Sequence, residues 1–348
     1  MKKNIKRIIA TIVFLSIGVY LFKTVSYALR PTEYTFRRDD VTGLYGEKED
    51  SLDVVIIGSS AVFRYINSMT LWEEYGMTSY NLTTPGQSCF IVEYLIDEVL
   101  KEQKPDVLVV ETRKFIRMDN KEELPHRWPL IVNNMNYSWN RVKLINYLYD
   151  NWEDRMNNYF DILQYHNNWE ILTSENLEYA DNKITHWYHG AETIGEVKKM
   201  KEPTIYTDIE PSPISKEVEE ALVSLLEKCD EEGIEVLFTA TPWIIDEKYQ
   251  KKNLYIKNII EEKGYKFLDM NQYYEEIGLD FAVDYYDTNH TNTVGAEKVS
   301  KFFGQYLLDN YDMNLEHGED IKIEWDAACE AYNAEAEPIR EKIAELSK

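Results

Sequence analysis

Two short runs restrict what this chain can fold into: LDVVII at residues 52–57 and DVLVVE at residues 106–111. Both are nearly continuous in aliphatic, mostly β-branched residues and lack the alternating polar positions of a strand with one wet face. Such strands must be covered on both sides. Between them, residues 78–82 read as a third strand. Residues 87–103 read as an amphipathic helix, with Phe90, Ile91, Tyr94, Leu95, Val99 and Leu100 recurring mostly at three- and four-residue spacings. Pro105 ends that helix. Strand, helix, strand is the repeating unit of a parallel sheet, and the pattern resumes as helix 215–232, strand 233–240, helix 248–263 and strand 265–268. The expected fold class is α/β, a three-layer α/β/α sandwich around a central parallel sheet.

The two halves are separated by residues 112–212, rich in Trp, Tyr and Asn and without strand alternation. A segment of that length is too long for an ordinary loop and is expected to be a mostly helical insertion capping the carboxyl end of the sheet. The boundaries that follow are an N-terminal segment 1–29, a polar linker 30–51, a main domain 52–312 carrying the insertion, and a C-terminal amphipathic helix 313–348. In that last helix Ile321, Trp325, Ala328, Tyr332, Ile339 and Ile343 form the apolar side, and Pro338 should kink it.

The N-terminus carries Lys2, Lys3, Lys6 and Arg7 ahead of a charge-free run over residues 8–22. This is the pattern of a signal-anchor helix, with the basic flank held in the cytoplasm and everything beyond about Arg30 outside; Lys23 would snorkel to the interface. Small residues at Ser26 and Ala28 also offer a cleavage site. The formal net charge of −24, from 62 Asp and Glu against 38 Lys and Arg, excludes a nucleic-acid partner, whose phosphates are held by releasing counterions from basic stripes. Cys89, Cys229 and Cys329 are odd in number and far apart, which defines neither a disulfide framework nor a zinc site. There is no Gly-rich phosphate loop and no metal-binding His pair, so neither a cofactor nor a metal is expected.

Chemistry in an open parallel sheet belongs outside the carboxyl ends of the strands. Gly58, Ser59 and Ser60 end the first strand there, and a serine at a strand-to-helix turn presents its hydroxyl upward. Near the C-terminus, Asp287 precedes His290 by three residues, so its carboxylate can reach back to hold one ring nitrogen while the other takes a proton from a serine. Asp284 is a second candidate for the orienting acid. Taken together, these two motifs resemble those of the SGNH/GDSL hydrolase superfamily, with Ser59 standing where the family has Asp. Tyr80, Asn81, Leu82, Thr83, Thr84, Pro85 and Gly86 look like its second block. The resemblance spans about residues 52–111 and 233–308 and leaves out the insertion.

The resemblance implies an SGNH-hydrolase-like, flavodoxin-like sheet, with Ser60 as nucleophile, His290 as base and Asp287 as orienting acid. It implies an oxyanion hole built from the Ser60 and Gly86 amides. The asparagine of the family's third block is absent, since the chain reads Thr112, Arg113, Lys114, Phe115 after the strand, and Arg113 is the candidate replacement. Among superfamily members the chain is most similar to membrane-anchored accessory proteins of cell-envelope O-acylation, the alginate O-acetylation and teichoic acid D-alanylation types. These imply a serine esterase or O-acyltransferase acting on an acylated polysaccharide or small acyl ester beside a membrane-bound O-acyltransferase. His166 and Trp169 are either candidate substrate contacts or, as such pairs more often are, ordinary packing, and Trp243 is a candidate pocket wall. The alternative is a catalytically silent scaffold of the same fold that binds polysaccharide or a membrane partner. Protease added to intact cells should digest the main domain while a cytosolic marker survives; protection of the domain would reverse the expected topology.

Overall fold

The computed structural model describes residues 2–33, 35 and 37–347. Tyr34 and Phe36 of the segment read as a linker, and the side chains of Lys2 and Lys3 in the basic flank, lie outside that description. The chain opens with α1 (Lys2–Leu29) and α2 (Arg38–Gly46), followed by β1 (Val54–Gly58), α3 (Ser60–Phe63), α4 (Ser68–Tyr75), β2 (Ser79–Thr83), α5 (Val92–Glu102) and β3 (Val107–Glu111). The segment between β3 and β4 holds six short helices: α6 (Arg113–Arg117), α7 (Pro129–Val132), α8 (Trp139–Leu148), α9 (Trp152–Tyr159), α10 (Ile162–Tyr165) and α11 (Ser174–Glu178). The second half runs α12 (Lys216–Glu232), β4 (Val236–Ala240), α13 (Glu247–Glu262), β5 (Lys266–Asp269), α14 (Tyr274–Ile277), β6 (Tyr285–Asp287), β7 (His290–Thr291), α15 (Thr293–Asn310) and α16 (Glu319–Leu346).

Five strands form one sheet in the order β2-β1-β3-β4-β5, all parallel, the flavodoxin-like order. The four strands from β1 to β4 are buried along their whole length, as their continuous apolar sequences require. Helices α5 and α12 cover one face; α4 and α15 pack together on the other, with α16 laid across both. The fold is therefore the three-layer sandwich expected from the strand runs. In this strand order the chain leaves β1 toward one edge and β3 toward the other, so the loops after β1 and β3 part above the sheet and leave a crevice. Ser60 and Arg113 are the first residues of the helices on its two sides.

Three expectations change. The segment 30–51 is not a free polar linker: α2 packs on β2, with Val41, Leu44 and Tyr45 in the core, and Arg30, Arg37 and Arg38 are buried. The insertion is helical only as far as Glu178, and most of residues 182–214 is irregular chain. The C-terminal helix, expected to kink at Pro338, runs through it without a break and buries Trp325, Ala328, Cys329, Tyr332, Ala336 and Ile343.

The insertion is tied to the end of α1 by one buried ionic cluster. Arg30 Nε lies 2.6 Å from Asp161 Oδ2, Arg141 Nη2 is 3.6 Å from the same oxygen, and the Tyr137 hydroxyl donates to Asp161 Oδ1. Burial raises the Asp161 pKa and Arg30 opposes that shift. Removing this carboxylate leaves the buried guanidinium groups of Arg30 and Arg141 without their shared counter-charge. Asp161→Ala should therefore destabilise the protein by about 3–5 kcal/mol, read as a lower midpoint of thermal unfolding, whereas Asp154→Ala on an exposed turn should change it by less than about 1 kcal/mol.

Candidate active site

Gly58 is required at the end of β1 by close approach: a Cβ there would lie 2.5 Å from Val62 Cγ2 and 2.9 Å from Glu111 Cβ. Ser59 takes the N-cap position of α3, its Oγ accepting from the Ala61 N–H at 3.4 Å. Serine is among the residues that cap helices well. Ser60 follows as the first helical residue, and its Oγ lies 2.9 Å from His290 Nε2. On the other side of the ring, His290 Nδ1 is 2.9 Å from Asp287 Oδ2 and 3.0 Å from Oδ1. Three groups expected to meet are thus in one hydrogen-bonded line, although Ser60 and His290 stand 230 residues apart.

The Asp287–His290 turn belongs to the small antiparallel pair β6 and β7 and is held from several directions. The Asn289 N–H donates to Asp287 Oδ1 at 2.7 Å, which fixes the carboxylate below the ring. The Asn289 carbonyl accepts from the Tyr65 hydroxyl and from Arg113 Nη1, both at 2.8 Å. The Ile244 N–H donates to the Thr288 carbonyl at 3.1 Å, and the Thr291 hydroxyl donates to the Arg64 carbonyl. The Tyr286 ring stacks on the imidazole, centroids 5.4 Å apart and planes within 10°. Asp284, the other candidate acid, faces away: it accepts from Lys298 at 2.6 Å and from the Asp280 N–H at 2.7 Å.

Arg113 is a correction. Its Nη1 is committed to the Asn289 carbonyl and its Nη2 to Thr241 Oγ1 at 2.8 Å, while the guanidinium lies over the Tyr65 and Trp243 rings at 5.2 and 5.0 Å. It is a strut under the histidine turn rather than a replacement oxyanion donor. Trp243 is also reassigned, since it is buried and supports Arg113 and Arg117 from behind. His166 and Trp169 are not at the site at all: they lie in a 3₁₀ turn packed on α1, His166 bonded to the Leu163 carbonyl and the neighbouring Asn168 to the Leu29 carbonyl. Gly86 is in the turn after β2, with φ of 73°. Among the described residues neither its N–H nor that of Ser60 has a protein acceptor.

Motif reading missed the ionic frame beside the serine. Arg37 and Arg64 both pair with Glu192, Arg64 at 2.6 Å, and both guanidinium groups lie against the Phe63 ring at 4.8 and 4.9 Å. Arg64 is four residues from the nucleophile, but Arg37 comes from the supposed linker and Glu192 from the irregular half of the insertion, and nothing in their local sequence marks them. The cations have an electrostatic consequence. Burial lowers the His290 pKa below its ordinary 6.5, the Asp287 carboxylate opposes this, and Arg113 and Arg64 add to the lowering. At neutral pH the ring is neutral and able to accept the Ser60 proton.

Comparison with known proteins adds little to this geometry. No protein-family model matches the chain, and no curated protein does. Among solved structures, the chain is similar to a protein from Desulfitobacterium hafniense DCB-2 described as lipolytic and of the G-D-S-L family. The identity is 10% and the TM-score 0.35, over 73% of this chain and 98% of that one.

The charge balance around His290 generates a prediction with a definite sign. Labelling of Ser60 by a fluorophosphonate should lose rate on the acid side at a pH below 6.5, because the neutral ring is favoured. Arg113→Gln removes a positive neighbour and should move that acid limb to higher pH; Asp287→Asn removes the opposing carboxylate and should move it lower. Coincident limbs in all three proteins would mean that the histidine does not control the serine.

Proposed function

We propose that the chain is a serine acyl-ester hydrolase or O-acyltransferase of the SGNH type, with Ser60 as nucleophile, His290 as general base and Asp287 as its orienting acid. The observation that carries this reading is the unbroken line from Ser60 Oγ through the imidazole to the Asp287 carboxylate, at 2.9 Å and 2.9 Å. In the first step Oγ bonds to the ester carbonyl carbon as its proton passes to His290 Nε2. The carbonyl π electrons move onto oxygen, where the free amides of Ser60 and Gly86 can receive them. Collapse breaks the bond to the leaving alkoxide, which takes the proton back from Nε2, and the acyl group stays on Ser60. A second hydroxyl, of water or of a sugar, repeats the sequence in reverse. Water gives an esterase, and a sugar gives an O-acyltransferase.

The finer assignment is to acyl esters of an exported or cell-envelope polysaccharide, with a membrane-bound O-acyltransferase as possible donor. Its support is the resemblance in the sequence blocks, together with an N-terminal helix long and apolar enough to cross a membrane. In this reading α1 is retained as a single-pass anchor and the domain lies outside the cytoplasm. Trp169 gives the polysaccharide no support, because it lies in the turn packed on α1. A second reading, a silent scaffold that binds polysaccharide or a membrane partner, is favoured by one observation: Arg113 stands in the third block and is engaged elsewhere. A missing oxyanion donor slows acyl transfer by about 10²–10³-fold and does not abolish it.

The test is covalent. A fluorophosphonate should label the wild type on Ser60, and Ser60→Ala and His290→Ala should each remove nearly all labelling, since triad members act as a unit. Labelling that survives both changes would refute the triad. In cells, Ser60→Ala should abolish glycan acylation if the enzyme transfers; unchanged acylation with lost ester turnover marks an esterase, and unchanged acylation with no turnover in the wild type marks the scaffold.

A further inference from the structure

The charge-free run of α1, residues 8–22, is about 22 Å long at about 1.5 Å per residue, against a bilayer hydrocarbon core about 30 Å thick. That charge-free run is several ångströms short, although α1 as a whole is long enough to cross a membrane. Residues 4–21 are exposed, and at Phe22 the helix enters the folded domain, its ring 6.0 Å from Phe160 and 5.7 Å from Tyr137. The domain therefore begins where the apolar run ends, with no spacer between the two.

What surrounds α1 at that level is unusual for a surface. Helices α10 and α11 and the 3₁₀ turn His166–Ile171 all contact α1, and they expose Leu163, Trp169, Ile171, Leu172 and Leu177 to the outside, with Phe160 beside them. Trp169, Ile171 and Leu177 are each about two-thirds exposed, at 65%, 65% and 64%. A groove of about 370 Å³ lies between Tyr20, Lys23, Thr24 and Tyr27 of α1 and Leu177, Glu178, Ala180 and Asp181, with its charged residues beside the apolar collar. Scattered exposed apolar residues need no explanation, but a collar of them around the root of a hydrophobic helix does.

We infer that this collar is a bilayer-docking surface, which sinks into the outer interfacial region and continues the apolar surface of α1 beyond its charge-free run. The inference rests on reading α1 as a membrane span and is independent of the triad. Tryptophan is favoured at the headgroup level, and aliphatic side chains beside it reach the top of the acyl region. A short charge-free run is otherwise met by thinning the bilayer or by snorkelling of flanking charges, and the collar makes both unnecessary. Its charge selects among lipids: Glu170 and Glu175 are exposed on the same segments, so docking is hydrophobic and favours zwitterionic over anionic surfaces. The domain is thereby held flat on the membrane rather than hanging from a flexible tether.

Site-directed spin labelling of the full chain in phosphatidylcholine nanodiscs tests this. The native Cys89, Cys229 and Cys329 are buried, so an introduced cysteine takes the label. Labels at Ile171→Cys and Leu177→Cys should collide more with oxygen, which partitions into lipid, than with a water-soluble nickel chelate. Ile323→Cys, on the distant α16 and also exposed, should show the reverse, and Phe14→Cys in α1 should be the deepest. Adding phosphatidylglycerol should make the collar labels shallower or leave them unchanged. If Phe14→Cys is in lipid while both collar labels resemble Ile323→Cys, the docking surface is wrong and the anchor stands; if Phe14→Cys is also aqueous, the anchor itself is wrong. Collar labels shielded from both reagents would show a protein on this face and overturn the inference equally.

Discussion

The carbonyl oxygen of Asn289 receives two hydrogen bonds, from the Tyr65 hydroxyl and the Arg113 guanidinium, and the arrangement of the site depends on them. The residue after it is His290, and Tyr65 and Arg113 come from the segments that follow β1 and β3. One acceptor therefore ties the C-terminal hairpin to both sides of the crevice at the switch point of the sheet. Each donor is itself buried: Tyr65 is fully enclosed, and Arg113 is pinned by Thr241 and flanked by Trp243. Hydrogen bonds involving a charged donor in such surroundings are worth about 1.5–3 kcal/mol each, enough to hold an imidazole within hydrogen-bond reach of a serine.

The same arginine acts at a distance through its charge. A protein with a net charge of −24 would by itself favour a protonated histidine, yet burial, the largest influence, lowers the His290 pKa together with Arg113 and Arg64, and Asp287 opposes them. Structural support and pKa control are thus two effects of one side chain.

The sheet was readable in the chain because burial on both faces leaves a mark in every residue of a strand, and 106–111 against Val107–Glu111 differ by a single position at one end. Ser60 and the Asp287–His290 pair were readable because each motif is local and their meeting is dictated by the sheet. Arg37, Arg64 and Glu192 were not, since they come together only when three segments distant in sequence close over the site. The insertion was misjudged for a different reason. Trp and Tyr suit a sugar platform, a core and a membrane interface equally well, and composition does not say which way a side chain faces. Likewise residues 30–51 read as polar because arginines are polar, although Arg30, Arg37 and Arg38 are buried against aspartates and asparagines.

The central claim is that Ser60 forms a covalent acyl intermediate. Its most direct measurement is peptide mapping by mass spectrometry after the protein is mixed with a carbonyl-labelled acetyl ester and quenched in acid within the first turnovers. The account predicts an acetyl group on the peptide containing Ser60, localised to that residue rather than Ser59, and absent from the His290→Ala protein. Turnover of the ester with no adduct at Ser60, or an adduct that forms equally well without His290, would contradict it.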